Sequence, residues 1–80
     1  MATFDFLGRL SDQFEGPLQI SLPEKIATIS ALRPWLCAHL HSDVFSDASI
    51  RTIVNQAIAA EDTPISDKDE IIFYPPVGGG

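Results

Sequence analysis

The chain has 80 residues, enough for one hydrophobic core but not for two. Hydrophobic residues make up 45% of it and charged residues 20%, a composition that excludes an intrinsically disordered protein, and no apolar run is long enough to span a bilayer. The formal net charge of −6 disfavours phosphate backbones and anionic lipids, so we expect no nucleic acid and no membrane partner, but a protein with a basic surface.

Two strands are predicted at the start of the chain. Apolar and polar residues alternate from residue 3 to residue 9, the period-two pattern of a half-buried strand, with Gly8 on its inner face and Leu7 on its outer face. A second alternation, over residues 18–22, ends at Pro23. Because the connection between the two segments is short, we expect them to pair as a hairpin.

A helix is predicted from Thr28, which is a suitable N-cap. Its apolar residues are three or four positions apart, as on one stripe of a helix: Ile29, Leu32, Leu36 and Leu40. Pro34 lacks the N–H group that a helix interior needs. We therefore expect either a kink at Pro34 or a helix that starts later than Thr28.

Two strands are predicted after the helix. Residues 42–49 are polar and typical of turns, and residues 50–54 then form a third strand. Asn55-Gln56 can turn the chain tightly, which predicts a short fourth strand at residues 57 and 58. Further turns are expected near residues 62–64 and 67–69.

The last strand is predicted over residues 70–74, which are dense in β-branched and aromatic residues. Ile71 and Phe73 share one face of this strand, and Ile72 and Tyr74 share the other. The order of elements is typical of an α+β domain in which one helix covers one face of a mixed sheet. We expect Leu7, Ile72 and Tyr74 on the open face, where exposed apolar side chains usually meet a partner.

The last six residues combine prolines and glycines. Pro75 and Pro76 have no N–H donors, so they end the sheet and hold the chain extended. Val77 and three glycines follow: Gly78, Gly79 and Gly80. Without side chains the glycines form a thin peptide that suits a narrow channel in another protein. This segment is expected to present the Gly80 carboxylate at a distance from the domain.

A free carboxylate is a poor electrophile and must be activated, for instance as an acyl-adenylate. No lysine, serine or helix follows the glycines, so the chain lacks a phosphate-binding loop and a separate enzyme would have to activate Gly80. Delivery of sulfide to the activated carbonyl would convert Gly80 to a thiocarboxylate. The chain would then serve as a sulfur carrier.

Two segments carry a family resemblance. The run from Asp69 to Gly80 joins an acidic turn, an apolar strand, Pro-Pro-Val and glycines, and it resembles the C-terminus of the small, sulfur-carrier subunit of molybdopterin synthase, a ubiquitin-like family. Val54-Asn55-Gln56 is similar to the same family. The resemblance implies a β-grasp fold over residues 1–76 and a flexible C-terminal glycine tail over residues 77–80.

The resemblance also implies partners and residue roles. A ubiquitin-activating-like adenylyltransferase would use ATP to adenylate Gly80, and no cofactor would be bound by this chain itself. The tail would thread into the large subunit of molybdopterin synthase, which would hold the catalytic pocket, and Gly80 would give sulfur to cyclic pyranopterin monophosphate. The threading residues would be Val77, Gly78 and Gly79. The docking residues would be Leu7, Ile58, Tyr74, Pro75 and Pro76.

Other functions remain open at the level of sequence. A carrier for thiamine synthesis or RNA thiolation would use the same chemistry, and a non-catalytic ubiquitin-like interaction module would use none or would form isopeptide bonds. Cys37, His39 and His41 are spaced by two residues, which on a helix does not bring ligands together, so no metal site is expected. One cysteine and no secretory signal favour the cytosol.

Overall fold

The structure, a computed structural model, describes residues 1–75, so the predicted roles of Pro76, Val77, Gly78, Gly79 and Gly80 and the boundary between residues 76 and 77 lie outside the described residues. It contains five strands and one α-helix: β1 (Ala2–Phe6), β2 (Leu18–Ile20), α1 (Ile29–Leu40), β3 (Arg51–Val54), β4 (Ala57–Ile58) and β5 (Glu70–Tyr74). Short 3-10 helices span Gly8–Asp12 and Val44–Ser46. Within residues 1–75, no helix has the length and apolarity to cross a membrane.

The five strands form one mixed sheet in the order β2-β1-β5-β3-β4. The two hairpins, β1 with β2 and β3 with β4, are antiparallel, and β5 enters between them, parallel to β1 and antiparallel to β3. The helix connects the two hairpins and packs on one face of the sheet. This is the β-grasp fold, and the predicted α+β class is confirmed.

The core lies between the helix and the inner face of the sheet. The helix contributes Ile29, Leu32 and Leu36, and all three side chains are fully buried. They pack in one hydrophobic cluster with inward residues of the two central strands: Phe4, Phe6, Ile71 and Phe73. Each such side chain contributes about 1.5–3 kcal/mol of stability through burial. The alternation predicted for β5 is therefore confirmed.

The helix begins where its cap predicts. Thr28 Oγ1 accepts a hydrogen bond from the N–H of Ala31 at 3.3 Å, and Ile29 is the first helical residue. The alternative of a later start is wrong, because the helix runs through Pro34. The carbonyl that Pro34 leaves without its helical donor belongs to Ser30, an exposed residue, so water can satisfy it.

Several segment boundaries differ from the sequence predictions. β1 ends at Phe6, and Gly8 begins a 3-10 helix instead of continuing the strand. β2 ends at Ile20, although Leu22 beyond it is buried. Residues 42–49 are more than polar turns, because they contain a 3-10 helix whose Phe45 is fully buried.

Arg33 joins the helix to the loops on either side of β3 and β4. Its guanidinium donates to the carbonyl oxygens of Phe45, Asp47 and Ile50 at 2.7–3.2 Å. It also forms an ion pair with Glu61, with Nη2 2.8 Å from Oε2. The Arg33 side chain is only 8% exposed, so these partners replace the water that a buried guanidinium loses.

Candidate functional site

The open face of the sheet carries an apolar patch, which we define as Leu7, Ile53, Ile58, Ile72 and Tyr74. Strand register aligns three of its members in one row, because Ile72 of β5 pairs with Ile53 of β3, and Ile53 pairs with Ile58 of β4. Ile58 is 81% exposed and Leu7 46%. Exposed apolar side chains that adjoin one another on a small domain are typical of an interaction surface.

Three of the five predicted docking residues lie on this face, namely Leu7, Ile58 and Tyr74. Leu7 follows the outward position Asp5 by two residues, and Tyr74 follows Ile72 by two, as the strand alternation requires. The face of Ile58 could not be assigned from sequence, and its pairing with Ile53 settles it. Their role in docking stays a prediction.

Sequence reasoning missed Ile53 and Arg51. Thr52 and Val54 are buried on the inner face of β3, so the residues between and before them face outward. Arg51 pairs in register with Tyr74. The sequence of β3 carries no clear signal, because Arg51-Thr52-Ile53-Val54 does not alternate between polar and apolar residues: polar Thr52 faces inward and apolar Ile53 faces outward.

The chain leaves the sheet beside Gly8. Leu7 N–H donates to the carbonyl of Phe73 at 3.0 Å, which extends the β1–β5 ladder to the end of the last strand. Gly8 has φ of +60°, and a Cβ atom built on it would lie 3.1 Å from Cγ and 3.3 Å from Cδ of Pro75. The prediction that Gly8 faces inward in a strand is wrong. Instead, it lets Pro75 pack closely against the start of the 3-10 helix.

We expect Gly8→Ala to lower stability by about 1–2 kcal/mol, because alanine is strained at positive φ and its Cβ crowds Pro75. For a domain of this size the unfolding temperature should fall by roughly 4–16 °C in a thermal melt. Gly8→Asn is the matched control, since asparagine tolerates this backbone region better. If both variants lose the same stability, contact with Pro75 dominates over backbone strain. If Gly8→Ala melts like the wild type, neither effect operates.

The two segments that carry the sequence resemblance meet through Asn55. Its Nδ2 donates to Asp69 Oδ1 at 3.0 Å, and its Oδ1 accepts from Glu70 N–H at 3.0 Å. Asn55 and Gln56 have φ of 50° and 71°, so they form the predicted tight turn between β3 and β4. Asn55 thus ties the turn that presents Ile58 to the residues that begin β5.

The other chemically interesting side chains lie away from the apolar patch. Cys37 and His39 are on the helix, where the His39 ring stacks on Trp35 with centroids 4.9 Å apart. His41 ends the helix in a left-handed conformation. Across residues 1–75, His, Cys, Asp and Glu side chains do not gather in groups of three that could hold a metal ion.

Two surface carboxyl groups have perturbed acidity. A hydrogen bond from the Leu22 N–H lowers the pKa of Asp67, and the N-terminal ammonium, 3.2 Å from its Oδ2, acts in the same direction. Hydrogen bonds from the Ser49 N–H and hydroxyl lower the pKa of Asp47. Both groups are acceptors that fix loops, and neither belongs to the apolar patch.

The chain is similar to known proteins in sequence and in fold. The ThiS family matches the chain over residues 5–80. The molybdopterin synthase sulfur carrier subunit of Escherichia coli K12 is 39% identical over 57 residues, which cover 66% of this chain and 68% of that protein. The crystal structure of SAMP1 from Haloferax volcanii superimposes with a TM-score of 0.71 at 23% identity, covering 99% of this chain and 98% of that one. At that identity the superposition shows a shared fold alone.

Proposed function

The chain belongs to the ThiS family, and from this premise we propose that it is the sulfur-carrier subunit of a molybdopterin synthase. The observation that carries the proposal is the position of Tyr74 and Pro75. The last strand ends at Tyr74 within the apolar patch, so the described part of the chain ends beside the surface that a partner would cover. The 39% identity to the E. coli carrier favours molybdopterin synthesis over other sulfur pathways.

The proposed chemistry takes place at Gly80. A carboxylate oxygen attacks the α-phosphate of ATP on a ubiquitin-activating-like adenylyltransferase, and pyrophosphate leaves. A donor then supplies sulfur at the oxidation level of sulfide, which attacks the acyl-adenylate carbonyl, and AMP leaves to give the thiocarboxylate. In the large subunit the thiocarboxylate sulfur forms a C–S bond to cyclic pyranopterin monophosphate, and water then hydrolyses the acyl–sulfur bond, which leaves the sulfur on the substrate and regenerates the carboxylate. Because activation consumes ATP, we place these steps in the cytosol.

The contribution of the described residues is docking and delivery. The apolar patch holds the large subunit, and Gly8 and Leu7 fix the point from which the C-terminal residues depart. Five residues follow Pro75, so Gly80 can reach at most about 17 Å beyond it. The catalytic pocket of the partner must therefore lie within that distance of the docked patch.

Mass spectrometry of the intact protein tests the proposal. We expect incubation with the activating enzyme, ATP and a sulfur donor to raise the mass of the protein by the difference between sulfur and oxygen. The large subunit should then transfer this sulfur to cyclic pyranopterin monophosphate. A carrier for thiamine or RNA thiolation would be loaded but would not discharge there. An unchanged mass with a competent enzyme, or an isopeptide bond to lysine, would identify an interaction module instead.

Tyr74→Ala should weaken binding of the large subunit by about 1–3 kcal/mol, or roughly 5- to 150-fold in Kd, because a tyrosine at the centre of an interface is a typical anchor. Titration calorimetry measures this. Gln19→Ala is the control, since Gln19 is an exposed polar residue of the edge strand β2, two strands away from β5. Equal affinities of Tyr74→Ala and Gln19→Ala for the large subunit would remove Tyr74 from the docking surface.

A further inference from the structure

A cleft of about 400 Å³ adjoins the apolar patch at the start of β3. Its walls are Arg33, Arg51, Glu61 and three alanines: Ala48, Ala59 and Ala60. Arg51 connects the cleft to the patch, because it lines the cleft and pairs in register with Tyr74 of the patch. A partner that covers Tyr74 therefore also comes within reach of Arg51 at the edge of this cleft.

The two arginines of the cleft differ in how their donors are used. Arg33 is saturated, since its guanidinium donates to three carbonyl oxygens and to Glu61. Arg51 is exposed, and among residues 1–75 its side chain takes part in no hydrogen bond and in neither of the two ion pairs. Glu61 is committed to Arg33, which leaves the Arg51 guanidinium as the free charge of the cleft.

The shape and charge of the cleft favour one kind of occupant. A guanidinium presents paired N–H donors that match the two oxygens of a carboxylate. Alanine side chains leave room beside it and supply no competing charge. A cationic or purely apolar side chain would leave the Arg51 donors unsatisfied once the interface excludes water, at a cost in binding.

We propose that Arg51 and the alanine-lined cleft receive an aspartate or glutamate side chain from the large subunit of the synthase. The inference rests on the proposed function and adds a polar specificity contact to the apolar patch. It also refines the expectation from net charge. A domain of net charge −6 should attract a basic surface over long range, yet beside Tyr74 it presents a cation that selects an acidic side chain.

Charge variants of residue 51 test the proposal by titration calorimetry with the large subunit encoded in the same genome. We expect Arg51→Ala to raise Kd about tenfold and Arg51→Glu to raise it further, while Arg51→Lys retains part of the affinity. The Kd of the wild type should depend on salt more steeply than that of Arg51→Ala. Unfolding temperatures should not change, because Arg51 is exposed.

Lys68→Ala is the matched control, because it removes the same charge in the turn that precedes β5, at the opposite end of that strand from Tyr74. Equal losses for Lys68→Ala and Arg51→Ala would reveal a general charge effect and overturn the proposal. Unchanged affinity of Arg51→Glu would also overturn it, as would a defect confined to the activating enzyme. If replacing one aspartate or glutamate of the large subunit by lysine restores the affinity of Arg51→Glu, that residue is the one that pairs with Arg51.

Binding and sulfur transfer by the wild type show whether the acidic contact alone is wrong or the proposed function as well. If the wild type binds the large subunit and discharges sulfur, while residue 51 has no influence, only the acidic contact is wrong. If the wild type neither binds the large subunit nor takes up sulfur, the proposed carrier function is wrong, and the proposed acidic contact is wrong as well.

Discussion

A chain that lacks Gly80 is expected to take up no sulfur while its unfolding temperature stays within about 1 °C of the wild type. We expect the stability to be unchanged because the hydrophobic core of residues 1–75 is complete between Ala2 and Phe73. The functional expectation follows from length. Removing one residue withdraws the carboxylate by about 3.5 Å, and a misplacement of even 1 Å at a reacting centre can cost about 100-fold in rate.

Two measurements on one preparation separate these expectations. Intact-mass analysis after incubation with activating enzyme, ATP and sulfur donor reports loading, and a thermal melt reports folding. Gly80→Ala is the informative control, because it keeps the length and adds one methyl group. Failure of both variants would indicate a channel too narrow for a side chain, whereas loading of Gly80→Ala alone would indicate that length is decisive. Normal loading of the shortened chain would show that the activated carboxylate need not be at Gly80.

Much of the fold was predictable because its signals are local. The bounds of β5 match the prediction, since alternating β-branched and aromatic residues between a turn and a proline specify both the strand and its inner face. The β3–β4 turn was predictable for the same reason, because Asn55 tolerates the left-handed backbone that this turn requires. Thr28 likewise marked the start of the helix.

The features that escaped prediction depend on distant partners. Phe45 is the only aromatic residue of a polar segment, and its burial follows from packing against Phe14 and Phe73, with ring centroids 5.3 and 5.0 Å away. Gly8 continued an alternating pattern, and only the approach of Pro75 explains why the chain needs a glycine there. No local pattern encodes contacts between residues that are 28 to 67 positions apart. Arg33 is a further example, because it resembles any polar residue of an amphipathic helix.

Arg33→Ala is expected to lower the free energy of unfolding by about 3 kcal/mol, mainly through its carbonyl partners. Glu61 is 57% exposed, so solvent screens its attraction to Arg33 and the lost ion pair alone should cost less than about 1 kcal/mol. The larger loss arises because the carbonyl oxygens of Phe45 and Ile50 accept in buried surroundings and would be left without donors. The carbonyl groups left without donors should therefore cost more unfolding free energy than the lost ion pair.

Glu61→Gln separates the two contributions, because it removes the charge and leaves the three carbonyl bonds in place. We expect its unfolding temperature to fall by a few degrees, against roughly 12–24 °C for Arg33→Ala. Arg33→Lys should behave almost as poorly as Arg33→Ala, since one ammonium group cannot reach acceptors on opposite sides of a planar guanidinium. Equal losses for Glu61→Gln and Arg33→Ala would show that the ion pair, and not the carbonyl network, fixes the loop that precedes Arg51.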